Sequence, residues 1–210
     1  MIDFFTHGRP VMYPLLACSI ISLTVIIERA IFWTREDIRR NPSLVDEVLV
    51  FCQDGDWEAV KEKTRRSKDY IIKILVIGIL HRNFSLTKAM ETAAADEMKR
   101  MHSFLGILDT MITVAPLMGI FGTVIGIITS FELLGAGGIE NPQAVTAGIA
   151  QALITTASGL GIAILSVFPY NYFNARVENA GLAIEKYATS LEIVYEKLQQ
   201  QSQKNGSCPQ

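Results

Sequence analysis

Three apolar runs divide this chain. From Val11 to Trp33 no charge occurs until Glu28-Arg29; a second run extends from Phe104 to Phe131 and a third from Ala144 to Tyr170. The first approaches, and the other two reach, the roughly 20 residues that an α-helix needs to cross a hydrocarbon core. Between the second and third runs, Gly135, Gly137, Gly138 and Pro142 interrupt the pattern, and no Lys or Arg is present. The segment 132–143 therefore reads as a hairpin between spans.

The intervening polar segment, 34–103, reads as helices in series. Pro42 and Ser43 open the first, Asp54-Gly55-Asp56 separates it from the next, and Asp56 is placed to cap a helix from Trp57 to Arg66. A third covers about Asp69 to His81. Ser85 is placed to cap a fourth, which the sequence predicts will run directly into the second span. Beyond Tyr170, Val177, Ala180, Ile184, Tyr187, Leu191, Val194 and Leu198 recur in steps of three and four. This stripe predicts a helix continuous with the third span, about 50 residues in all, packing either on neighbouring molecules or on the chain's own bundle. The polar stretch 199–210 reads as a disordered tail.

The expected fold is all-α: a polytopic membrane protein with three transmembrane helices, long helices extending into the cytoplasm and a cytoplasmic helical bundle. Its parts are an extracytoplasmic N-terminus (1–10), spans at 11–33, 104–131 and 144–170, a cytoplasmic loop (34–103), a periplasmic hairpin (132–143), a helical extension (171–198) and the tail. The first run reads as a retained anchor, because the residues before it carry only Arg9 against Asp3 and no small-x-small cleavage site follows. Fourteen of the 19 Lys and Arg residues fall between Arg29 and Arg100 and four follow the third span, which places the N-terminus outside and the C-terminus in the cytoplasm.

Half of the residues are hydrophobic, more than a soluble domain of 210 residues readily buries, and the formal net charge of −2 argues against nucleic-acid binding. Cys18, Cys52 and Cys208 lack metal-site spacing and read as reduced, incidental thiols. No nucleophile elbow, phosphate loop, zinc motif or paired intramembrane carboxylate is present, so an enzyme is not expected, nor a cofactor or metal.

Between Asp109 and Glu132, and throughout 144–170, there is no Asp, Glu, Lys, Arg or His. A charge relay cannot be built from such spans alone. Neutral polar groups remain: Thr113, Thr123, Thr129 and Ser130 in the second span, and Gln151, Thr155, Thr156, Ser158 and Ser166 in the third. A single membrane hydroxyl ordinarily bonds to the carbonyl three or four residues back; a cluster on adjacent spans can instead line a wet path. Gly119, Gly122 and Gly126, and the series Gly148-x-x-x-Ala152-x-x-x-Thr156, have spacings that let helices approach closely, with Gly159 a further small residue on the third span. Pro116 removes one backbone hydrogen bond and predicts a bend. Asp109 and Glu132 read as solvated interfacial charges.

The run A-P-L-M-G-I-F-G-T-V-I-G-I-I-T-S-F at 115–131 resembles the second-span signature of the MotA/TolQ/ExbB proton-channel family, A-P-L-x-G-L-x-G-T-V-x-G-x-x-x-x-F. The run G-I-A-Q-A-L-I-T-T-A-S-G-L at 148–160, with Tyr170-Asn171 after it, is similar to the family's third-span signature, and Glu28-Arg29 fits as well. The resemblance is closer to the TolQ/ExbB branch. It implies a homo-oligomer, a five-fold ring, around two copies of a single-span ExbD/TolR-like partner whose intramembrane Asp carries the proton. It also implies a TonB/TolA-like energy transducer and an inner-membrane location, with proton-motive force converted into work on the cell envelope or transport.

By the same resemblance Thr123 and Thr156 match pore-lining threonines, while Pro116 and Gly122 match surrounding motif positions. Thr155, Gln151 and Thr113 complete the candidate proton path. Two positions depart from the pattern: Gln151 stands where the family carries an acid, and Leu165 where it carries a proline. A flagellar-type stator subunit, with four spans, and a non-conducting membrane scaffold are the alternative readings.

Overall fold

The computed structural model describes residues 11–137 and 142–206, so the predicted N-terminal segment and the centre of the hairpin lie outside the described residues. The protein is all-α, with no strand among the described residues. The helices are α1 (Met12–Arg39), α2 (Pro42–Gln53), α3 (Trp57–Thr64), α4 (Tyr70–Leu80), α5 (Arg82–His102), α6 (Leu105–Gly137) and α7 (Pro142–Gly206). Three segments are long and apolar enough to cross a membrane, in α1, α6 and α7. The residues group into two units, one comprising 11–30 and 104–174, the other 31–103 and 175–206.

In the first unit, Met12, Leu15 and Cys18 of α1 bury against Ala115 of α6, with Met111, Val114, Met118 and Ile162 packed around them. The opposite faces leave Ile20, Leu23, Leu117, Phe121, Ile164, Leu165 and Phe168 exposed. Large apolar side chains facing outwards are what a lipid-solvated bundle presents. The approach of α6 to α7 is set by glycine. A Cβ at Gly159 would overlap the Ala115 carbonyl oxygen and lie 3.1 Å from the Gly119 Cα; one at Gly119 would lie 3.0 Å from the Thr156 Cα. A Cβ on Gly122 would meet Thr155 Oγ1 at 2.8 Å.

The second unit is built from capped helices around a core of Val45, Val48, Cys52, Ile71, Ile72, Leu75, Met90 and Met101. Asn41 caps α2, with Pro42 at its first turn; Asp56 caps α3, its side chain accepting from the Ala59 N–H. Gly55 takes φ +74° between the two, a conformation that glycine adopts without strain. Asp69 is the hub. Its buried carboxylate accepts from the backbone N–H of Ile71 (2.9 Å) and of Asn41 (2.8 Å), and it pairs with Arg40 (3.4 Å). One side chain thus caps α4 and fastens the α3–α4 turn to the end of α1. Nearby, Arg100 pairs with two buried carboxylates, Glu36 (3.2 Å) and Glu97 (2.8 Å), while Lys73 reaches Glu97 at 2.6 Å.

Of the predicted stripe on α7, Val177, Ala180, Ile184, Leu191 and Val194 are buried and Tyr187 and Leu198 partly so. The stripe is covered within the chain's own second unit, where Gly181 lies beside Met98 of α5 and Tyr195 donates to the Arg82 carbonyl at 2.9 Å. Of the thiols, Cys18 and Cys52 are free and buried, and burial pushes the Cys52 thiol up to about 12. Cys208 lies outside the described residues.

Several boundaries differ from the sequence reading. Helix α5 does not run directly into the second span: it stops at His102, Ser103 is extended (φ −52°, ψ 138°), and Phe104 takes the left-handed φ of 65°. The expected Ser85 cap is present, with its hydroxyl 3.3 Å from the Lys88 N–H, as a kink inside α5 where Ser85 leaves helical geometry. Gly135 and Gly137 continue α6, and Pro142 and Gln143 already belong to α7, so both ends of the 132–143 segment are helical. At the C-terminal end, 199–206 is helical where polarity predicted a disordered tail, because the chain prolongs an already nucleated α7 at low cost. Both Pro116 and Pro169 sit inside continuous helices.

Replacing Gly159 with Ala should separate α6 from α7 and lower the melting temperature of the detergent-solubilised protein. Gly161→Ala, where an added Cβ meets nothing within 4 Å, should be neutral. Equal behaviour of the two variants would refute the close-packing account. For the second unit, Asp69→Ala should cost about 2–3 kcal/mol through a lost cap and an orphaned buried N–H. Hydrogen exchange should accelerate at the Asn41 and Ile71 amides before it changes elsewhere.

Candidate functional site

The hydroxyls of the second and third spans divide into two kinds. Thr113 donates to the Asp109 carbonyl (3.3 Å), Thr129 to Ile125 (2.8 Å), Ser130 to Gly126 (2.8 Å), Ser158 to Ile154 (2.8 Å) and Ser166 to Ile162 (2.8 Å). Each bond closes on its own helix four residues back, the ordinary way for a hydroxyl in an apolar medium to be satisfied. Thr155 donates similarly to Ala152 (2.6 Å).

Thr123 and Thr156 differ. The Thr123 hydroxyl lies 3.0 Å from the Gly119 carbonyl on its own helix and 3.4 Å from the Ala152 carbonyl on α7. That of Thr156 lies 3.0 Å from the same Gly119 carbonyl across the helix interface, and the two threonine hydroxyls are hydrogen-bonded to each other. Both hydroxyls bond across spans. Each threonine stands four residues after a carbonyl that takes part, so the cluster is nearly symmetric between the helices. Glycine at 119 makes it possible: a side chain there would displace Thr156 and break the bridge.

The proton count matters. Two hydroxyls carry two hydrogens, yet they face the Gly119 carbonyl, the Ala152 carbonyl and each other. Alternative donor arrangements are therefore available without moving a heavy atom. Such a pair can pass on a hydrogen bond by rotation, and it holds no charge in the low-dielectric interior.

The other candidate residues spread around this cluster. Thr155 is buried one helical turn beyond Gln151 and packs against Gly122. Gln151 is partly buried, and its Nε2 lacks a hydrogen-bond partner among the described residues. Thr113 is exposed and lies more than two turns from Thr123, so the structure does not bring it to the cluster. Of the packing residues, Gly119, Gly122 and Gly159 form the close approach; Gly126 is buried and accepts from Ser130, Gly148 is partly exposed, and Pro116 is partly buried next to Ala115. The governing pattern is thus Ala115-x-x-x-Gly119 against Thr155-x-x-x-Gly159, a small-residue spacing visible in the sequence but hidden among equivalent ones.

Sequence reasoning missed two features of α1. Ser22 is 3% exposed, and its hydroxyl has no partner among the described residues. Arg29 is 2% exposed, pairs with Glu28 and lies 5.5 Å from the centre of the Phe104 ring. Asp109 and Glu132 are exposed, and no group of His, Cys, Asp and Glu that could hold a metal occurs among the described residues.

Residues 69–186 match the model of the MotA/TolQ/ExbB proton channel family. Biopolymer transport protein ExbB-like 3 of Synechocystis sp. is 30% identical over 92% of this chain and 94% of its own length. The ExbB-like 1 protein of the same organism is 32% identical over 94% of this chain and 80% of its own. The Tol-Pal system protein TolQ of Haemophilus influenzae is 29% identical over 84% and 85%. These matches join the two span signatures to the three apolar helices that carry them: the chain is a multi-pass membrane protein and belongs to the MotA/TolQ/ExbB proton channel family, in its TolQ/ExbB-like branch.

Proposed function

We propose that this protein is the multi-span subunit of a proton-driven complex in a bacterial inner membrane. It contributes a neutral, hydroxyl-lined path at Thr123 and Thr156, and a single-span ExbD/TolR-like partner contributes the acid. The observation that carries this reading is the cross-span hydroxyl pair in an interior without ionisable groups. Such a pair can relay hydrogen bonds, yet a proton needs an acid or base on which to rest near neutral pH, and 110–131 and 144–170 contain no Asp, Glu, Lys, Arg or His. The assembly is a homo-oligomeric ring, five copies around two of the partner, with the N-terminus periplasmic and the C-terminus cytoplasmic beside the basic loop. Its output reaches the envelope or a transport system through a TonB/TolA-like transducer.

One observation favours a second reading. The threonine bonds are internal to the chain, so they also serve as a clasp between α6 and α7 in a scaffold that conducts nothing. Proton flux separates the two.

Reconstituted with its partner, the wild-type protein should carry a proton flux that neither component supports alone. Thr123→Val and Thr156→Val should each lower that flux about tenfold, the scale of a 1–2 kcal/mol barrier, while the complex still co-purifies. Thr→Ser at either site should restore it. Unchanged flux with assembled valine variants would leave the scaffold reading standing. Flux through the isolated chain would overturn the division of labour.

A further inference from the structure

The outward face of α1 does not end with the first span. Ile20, Ile27, Ile31 and Ile38 are all exposed, Ile38 to 79%, and their spacing of seven, four and seven residues keeps them on one side of the helix. Past Trp33 this stripe is joined by the exposed Arg35 and Arg39. An isoleucine flanked by arginines, one to two turns beyond an apolar span, is the composition of a helix end immersed among lipid headgroups, with its long basic side chains extended to the phosphates.

The fold adds a second basic segment from elsewhere in the chain. Arg65, Arg66 and Lys68 are exposed on the α3–α4 turn, some 25 residues after α1 ends. Asp69 brings that turn to the end of α1 by accepting from Asn41 N–H and pairing with Arg40. Some of the nearby acids are committed: Asp69 is buried in its cap, Asp37 pairs with Arg176 and Glu47 with Lys63, which leaves Asp46 of α2 and Glu58 and Glu62 of α3 exposed against five exposed cations. Six residues at 1.5 Å separate Trp33 from Arg39, about 9 Å along the helix. That is about one Debye length at physiological ionic strength, roughly 8 Å.

We propose that Arg35, Ile38 and Arg39 of α1, together with Arg65, Arg66 and Lys68 of the α3–α4 turn, form a binding surface for anionic phospholipid headgroups of the adjoining leaflet. The exposed isoleucine supplies an apolar contact that a soluble phosphate has no use for, and the two basic segments supply the charge that zwitterionic lipid does not require. The proposal does not rest on proton conduction and stands whether or not the threonines carry flux.

The test uses the full-length protein in nanodiscs of phosphatidylcholine with a minor fraction of phosphatidylglycerol. Phosphatidylglycerol retained per protomer is counted by native mass spectrometry. Arg65→Gln, Arg66→Gln and Lys68→Gln combined should weaken retention about tenfold or more, as expected when several headgroup contacts are lost. A control losing Lys88, Lys186 and Lys197 to Gln, the same charge from other exposed positions, should retain it. Equal retention in wild type and the first variant, or equal loss in both variants, would overturn the proposal. Competition by soluble glycerol phosphate as strong as by the lipid would overturn it in favour of a free phosphate site. Loss of oligomer in the first variant with lipid retention unchanged would overturn it in favour of a contact between copies of this chain.

Discussion

The contact on which the membrane unit depends is the approach of α6 to α7 at Gly119 and Gly159, where neither helix has room for a side-chain atom. In water, apolar helices associate because their surfaces are expelled from solvent; in lipid that drive is absent, and close packing with interhelical hydrogen bonds must hold the helices together. Glycine supplies both at once. It lets the backbones meet, and it opens the Gly119 carbonyl to a donor on the opposite helix, which Thr156 provides at 3.0 Å. Packing and candidate chemistry therefore share the same atoms, and a change intended to alter one will disturb the other unless it preserves shape, as Thr→Val does.

The second unit solves the opposite problem. Surrounded by water, its short helices gain little from propensity and are fixed by caps and by burial of one face. Caps are local signals, which is why Asp56 and Ser85 were legible as a Ser or Asp just before an apolar period. The stripe from Val177 to Leu198 was legible for the same reason, although periodicity alone left open whether it met a neighbour or its own chain. Asp69 was legible only as the start of a helix. Its larger role, holding the end of α1 through Asn41 and Arg40, joins residues 28 and 29 positions apart, and no local pattern encodes such a contact.

The misreadings have physical causes too. The break at Ser103 and Phe104 carries neither the Gly or Asn that ordinarily marks a left-handed residue nor the Pro that ordinarily ends a helix. A phenylalanine at φ 65° is unfavourable on its own, and it is accompanied here by Arg29 over its ring. Gly135 and Gly137 looked like helix breakers because glycine costs about 1 kcal/mol in a helix in water. Glycine is far better tolerated in a membrane helix, where unpaired backbone groups cost more. The candidate site was half legible: residue types and spans were readable, but which of the equivalent small residues faced each other depended on rotation about two long helices.

The neutrality of the spans has a further consequence under the proposed reading. A group that titrates in a low-dielectric interior imposes its own pKa on any path through it, and it costs free energy whenever it is charged. Hydroxyls do neither, and Gln151 has a fixed protonation state. The interior of these spans therefore presents the same hydrogen-bonding surface at every pH the membrane meets. Its two threonines can reverse the direction of their bond, because acceptors outnumber hydrogens around them. All pH dependence of such a path is then delegated to the partner's acid. Under the proposed reading the spans are a charge-free lining, and gain and loss of the proton fall to the partner's carboxylate.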